Sequence, residues 1–95
     1  MEADLRDLLA LVRRKLPALY SQICDDGVID YLDHGEFGLS FELLTFNAEA
    51  SIEKLPPEVL GAIVHILQTY DLHGFSKDPK IATRYDRFIR MAKAS

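Results

Sequence analysis

The sequence predicts an all-α fold, a compact single-domain bundle of about four to five helices. Three observations carry this reading. Apolar residues recur at helical spacing through most of the chain. Only one segment alternates with the period of a strand, and no second segment offers it a partner. The chain has 95 residues, 48% of them apolar, with no repeat, low-complexity tract or long linker, so one modest core is feasible and two domains are not.

The first helix follows from Leu5, Leu9, Val12 and Leu16, which share a stripe with Leu8 while Arg6, Asp7, Arg13 and Arg14 fall off it; Pro17 closes it. A second helix is expected from Leu19 to Asp33, with Tyr20, Ile23, Cys24, Tyr31 and Leu32 along one side and Gly27 inside it at a cost of about 1 kcal/mol. His34 and Gly35 end it. Between Glu36 and Phe46 the pattern is ambiguous, because Phe37, Leu39, Phe41 and Leu43 alternate with Gly38, Ser40 and Glu42. As a helix this segment is apolar on two sides, Phe37, Phe41 and Leu44 on one and Leu39, Leu43 and Phe46 on the other, as for a helix sandwiched between neighbours. The absence of a partner strand selects the helix. Asn47 to Leu55 reads as a loop or frayed end. From Pro56 to Leu72, Val59, Leu60, Ile63, Val64, Ile66, Leu67 and Tyr70 lie in one broad arc behind paired prolines that suit a first turn. Leu72 to Lys77 is a second loop. The last helix starts at Asp78-Pro79 and buries Ile81, Tyr85, Phe88, Ile89 and Ala92.

Charge is distributed unevenly along this frame. The formal net charge is only -4, yet residues 18 to 72 carry ten acids against Lys54 alone, and residues 73 to 95 carry six bases against two acids. Charges of one sign avoid the core, so the middle of the chain should present a negative surface and attract a basic partner. Asp26, Asp30 and Asp33 stand at i, i+4 and i+7, which places them on one helix face. Like charges at that spacing weaken an isolated helix by a few tenths of a kcal/mol per pair. Asp25, Glu36, Glu42, Glu49, Glu53 and Glu58 extend the same sign.

Catalysis finds less support. No acid is marked as sitting in a pocket, and Gly-rich phosphate loops, nucleophile elbows and His-Glu-x-x-His are absent. His34, His65 and His73 fall on separate segments, His34 as a helix C-terminal cap, so no metal site and no cofactor is expected. Cys24 lies on a buried stripe, where cysteine behaves as a small hydrophobe. A single cysteine excludes an internal disulfide and agrees with a reducing, cytoplasmic setting. Met1, Glu2, Ala3 and Asp4 put no basic patch before an apolar run, so neither a secretory signal nor a membrane span is expected. Lys80, Arg84, Arg87 and Arg90 line the outer face of the last helix. Tyr85 and Phe88 belong to its core stripe, which leaves no aromatic to stack on bases and argues against nucleic acid.

The segment from Tyr31 to Leu44, Tyr-Leu-Asp-His-Gly-Glu-Phe-Gly-Leu-Ser-Phe-Glu-Leu-Leu, resembles the signature of MafI-like immunity proteins, small helical antidotes of bacterial polymorphic toxin systems. There, a helix ending in Tyr-x-Asp-x-Gly-Glu leads into one beginning Gly-Leu-Ala-x-Glu. Ser40 replaces the common alanine. The layout around the signature matches over about residues 5 to 72, and the basic tail from Ser76 lies outside the resemblance. It implies neutralisation of a cognate toxin domain, a basic protein such as an RNase or DNase, by one-to-one binding in the cytoplasm. Gly35 would serve a positive-φ turn and Glu36 a helix N-terminus. On the charge reading, Asp26, Asp30, Asp33, Glu36 and Glu42 form the toxin-binding set, with an apolar patch including Phe37 or Phe46 as the other possible contact. The alternative is a small helical adaptor or regulatory module with no toxin partner. Self-association is left open, as monomer or homodimer.

Overall fold

The computed structural model describes residues 1–75 and 77–95. The chain forms α1 (Glu2–Lys15), α2 (Tyr20–Ile23), α3 (Asp26–Asp33), α4 (Phe37–Glu49), a 3-10 turn at Ile52–Lys54, α5 (Pro57–Thr69), α6 (Leu72–Phe75) and α7 (Pro79–Ala94). No strand occurs among the described residues, and the fold is the all-α single domain that the periodicity predicts. Its radius of gyration of 12.0 Å matches the ~12 Å of a compact chain of this length.

Helix α4 is the hub. It packs against α1, α2, α3 and α7, while α5 packs against α1, α6 and α7. Phe41 and Leu44 on its inner face are wholly buried, with Ala48 one turn on. They meet a core built from Leu5, Leu8 and Val12 of α1, Val28 and Leu32 of α3, Leu60, Ile63 and Ile66 of α5, and Phe88 of α7. The rings of Phe41 and Tyr85 lie 5.8 Å apart at 49°, a tilted contact of the kind aromatic pairs prefer. Burying a Phe or Leu side chain contributes about 1.5–3 kcal/mol, so this seam holds α4 to the rest.

The expected helix from Leu19 to Asp33 is in fact two. Cys24 and Asp25 leave helical geometry, and Asp25, with extended backbone (φ -74°, ψ 178°), accepts the Val28 N–H at 3.0 Å on its side chain. That is an N-cap, and it starts α3 in a new direction. Asn47 of α4 donates to the Asp25 carboxylate at 3.1 Å and to the Ile23 carbonyl at 3.1 Å, so the break is pinned from the neighbouring helix. Gly27 therefore stands in a first turn, not a helix interior. A Cβ there would come within 2.8 Å of Leu43 Cδ2, so the glycine permits the close approach of α3 and α4.

Two expected loops are also more structured. Asn47 to Leu55 contains the end of α4 and the 3-10 turn, because Ala48 and Ile52 are buried and anchor the backbone. Leu72 to Lys77 contains α6, and its residue Ser76 lies outside the described residues. The remaining starts and stops follow the sequence. Pro56 and Pro57 open α5, and the Asp78 side chain caps α7 by accepting from Lys80 N–H at 2.9 Å. α5 stops where Asp71 turns to φ 50°, a conformation Asp tolerates better than most residues.

The break makes a prediction. Asp25→Ala should lower stability by about 1 kcal/mol, at most about 2, while Asp25→Asn should recover only part of the loss, because its amide oxygen can still accept at the cap but its NH2 then faces the Asn47 donor. Urea unfolding should show this as a lower midpoint at unchanged slope; an alanine variant as stable as wild type would show that the cap does not hold the break.

Candidate functional site

The end of α3 is a Schellman motif. Gly35 has φ 75°, Glu36 N–H donates to the Tyr31 carbonyl at 2.8 Å, and Gly35 N–H donates to the Leu32 carbonyl at 3.2 Å. Only a residue without a Cβ enters this turn without strain. The motif turns the chain straight into α4, with Glu36 at its N-cap position and no side-chain cap bond. The Tyr31 to Glu36 part of the signature is thus a scaffold, and it sets α3 and α4 side by side.

Asp26, Asp30 and Asp33 are exposed on α3, opposite its buried Val28 and Leu32. Asp33 accepts from Arg6 Nη2 of α1 at 3.4 Å. Asp30 has only His34, whose Nδ1 donates to the Asp30 carbonyl at 2.8 Å and lies 3.6 Å from its carboxylate. Asp26, Asp30, Glu36 and Glu42 pair with no Lys or Arg among the described residues. Among the described residues, three of the five predicted site acids, Asp26, Glu36 and Glu42, are thus without a cationic partner, Asp30 faces His34, and Asp33 shares its charge with α1.

Two of the acids beyond them are paired from the ends of the chain. Glu49 pairs with Arg84 at 3.6 Å and Arg87 at 3.5 Å, and Glu58 with Lys15 at 3.2 Å. This corrects the reading of α7 as a wholly exposed basic face. The Arg84 side chain is 11% exposed, its Nη1 donates to the Glu42 carbonyl at 3.3 Å, and its guanidinium sits 5.1 Å from the centre of the Phe46 ring. Arg84 belongs to the α4–α7 contact, where desolvation makes the cation–π contact count for more than on an open surface.

Nor is α4 fully sandwiched. Leu39, Glu42, Leu43 and Phe46 stand at i, i+3, i+4 and i+7 on its outer face. With Tyr31 of α3 and Arg84 of α7 they line one open cleft of about 330 Å³. Among the described residues, Tyr31 (39% exposed), Leu39 (44%) and Phe46 (60%) are the exposed large hydrophobic ones, and all three line this cleft. Phe37, the other candidate aromatic, packs against the core. This second apolar side, Leu39, Leu43 and Phe46, is visible in the sequence, where it reads as covered by a neighbour, but Leu39 and Phe46 are exposed.

Other reactive groups lead elsewhere. Burial pushes the Cys24 thiol up to about 12, with the Asp25 carboxylate adding to the rise, so it is no thiolate near neutrality. His73 contacts Asp86 at 2.8 Å, and His65 is exposed on α5. Among the described residues no three His, Cys, Asp or Glu converge as metal ligands, and no helix is long and apolar enough to cross a membrane. No family model, curated protein or solved structure matches this chain.

His34 supplies a pH test of the acidic stripe. Its bond to the Asp30 carbonyl, and then the Asp30 charge, raise its pKa above 6.5. A raised folded value stabilises fully below the unfolded pKa and is lost as pH rises through the folded one. The His34 ring protons should titrate above 6.5 by NMR, and the stability gap to His34→Ala should be largest below that value and shrink as pH rises through the folded midpoint. A midpoint at or below the ordinary value would mean that the stripe does not act on this ring.

Proposed function

We propose that this chain is a non-catalytic binding protein, an immunity-type antidote that neutralises a cognate bacterial toxin by covering a basic active-site region with its α3–α4 face. One observation carries the reading: among the described residues Asp26, Glu36 and Glu42 have no cationic partner and Asp30 has only His34, while Asp33, Glu49 and Glu58 each meet a Lys or Arg. A nuclease that holds a phosphate backbone needs a basic cleft, and an acidic surface of this kind occupies it in place of phosphate. Complementary charge of this sort speeds encounter and excludes wrong partners. The signature between Tyr31 and Leu44 points to the same class of protein, and a partner of nuclease type fits both. The reading places the protein in the cytoplasm of the toxin-producing cell.

Two measurements test it. The product of the adjacent upstream gene should co-purify with this chain and lose its toxic activity on binding; a neighbour that neither binds nor is toxic would favour the adaptor reading. The triple variant Asp26→Lys, Asp30→Lys, Glu36→Lys leaves Asp33 and its Arg6 contact in place. It should slow association by roughly 10- to 1000-fold at low salt, and the difference should narrow as salt is raised. A triple variant that associates and protects as well as wild type would mean that the toxin binds elsewhere.

A further inference from the structure

We infer that the cleft between Tyr31, Leu39 and Phe46 is the anchoring pocket of the α3–α4 face, and that it takes the apolar stripe of a partner segment whose flanks are basic. The inference rests on reading that face as the partner surface, and it assigns separate tasks to its two kinds of residue. The acids of α3 and the α4 N-cap steer a partner in, and the cleft retains it.

Three features support the assignment. The first is convergence: singly exposed apolar residues are ordinary, but here Tyr31, Leu39 and Phe46 share one cleft. Along α4, Leu39, Leu43 and Phe46 stand at i, i+4 and i+7 on one helix face, with Glu42 at i+3 and Tyr31 of α3 beside them. The second is preorganisation. Phe46 is backed by the Arg84 guanidinium, which the Glu42 carbonyl and Glu49 carboxylate hold in turn. An aromatic ring with one face so supported loses less side-chain freedom on binding than a free surface Phe. The third is the rim. Glu42 lines the cleft, Glu36 precedes Leu39 by three positions, and Asp30 adjoins Tyr31.

That rim selects the occupant. In a two-fold dimer each patch meets itself, so a second copy would bring Glu36, Glu42 and Asp30 against the same acids. Like charges facing one another across an interface are costly. A basic amphipathic segment meets the rim with opposite charge and the cleft with apolar side chains.

The probe is a synthetic amphipathic leucine–lysine peptide of about 18 residues, long enough for several helical turns, titrated into the isotope-labelled full chain. Its controls are the same peptide with glutamate for lysine and a scrambled peptide of the same composition. The amphipathic basic peptide should shift the signals of Tyr31, Leu39, Leu43 and Phe46; the glutamate peptide should not, and the scrambled one should shift only the acid stripe. Leu39→Ser with Phe46→Ser, both exposed positions, should stay folded, melting somewhat lower for the lost Arg84 contact, and weaken peptide binding at least about tenfold, through faster dissociation. Asp30→Asn with Glu36→Gln should instead flatten the salt dependence. Shifts confined to Asp26 and Asp30, or a Ser variant that binds as tightly as wild type, overturn the inference. So does a dimer of the chain alone, seen by sedimentation, that Phe46→Ser dissolves. Peptide binding at the cleft with no binding of the neighbouring gene product would sink the toxin reading and keep the cleft. Toxin binding untouched by the Ser variant would do the reverse.

Discussion

The Asp25 carboxylate is the contact on which the visible face of this protein depends. It accepts the Val28 N–H of α3 and an Asn47 N–H of α4, while the second Asn47 hydrogen goes to the Ile23 carbonyl at the end of α2. One side-chain amide thus ties together the end of one helix, the cap of the next and the flank of a third. Without that break, α2 and α3 would continue in one line. With it, α3 swings across α4, Gly27 lets Leu43 come close, and Ser40, fully buried, donates to the Val28 carbonyl at 2.8 Å. The surface that results carries the acids of α3 beside the outer residues of α4.

Much of this was legible in the chain, and what was not has definite causes. Helices α1, α5 and α7 announce themselves because each buries one broad stripe, and prolines or a capping Asp mark the starts of α5 and α7. The break at Asp25 was missed because the apolar spacing from Tyr20 through Leu32 runs across it without a fault. Periodicity records which residues face inward, and two helices that both face the same core can share one period. The local chemistry of Cys-Asp-Asp-Gly, a capping residue followed by the least helical residue short of proline, was the better guide. In the α4 segment both apolar sides were visible, but a sequence cannot say whether a neighbour covers the second. Here α7 covers it only as far as Arg84 reaches.

The charge pattern shows a similar limit. Summed along the chain, the middle is strongly acidic and the tail basic. In space the two partly cancel, because α7 lies against α4 and brings Arg84 and Arg87 to Glu49. Surface pairs of this kind contribute little, about 0–1 kcal/mol each, so their importance is less in stability than in where they leave charge. They leave it on α3 and the first half of α4. The candidate acids were found by counting; that Asp33 shares its charge was fixed by Arg6 of α1, 27 positions away.

That residual charge and the neighbouring cleft are physically different resources. Solvated acids act over about a Debye length, roughly 8 Å at physiological salt, and so govern how often a partner arrives. They contribute little once it has arrived, because a solvated ion pair is worth less than about 1 kcal/mol. Apolar surface has no such reach, yet burying it gives about 25 cal/mol per Å², and it governs how long a partner stays. On the proposed reading, Tyr31, Leu39 and Phe46 set retention, and Asp26, Asp30 and Glu36 set arrival. The two are joined through α4, where Glu42 is at once part of the acidic set and part of the cleft wall. A protein that only needed solubility would gain nothing from placing its exposed aromatic and leucine side chains together beside its unpaired acids. A protein that must find one basic partner quickly and hold it needs both on one face.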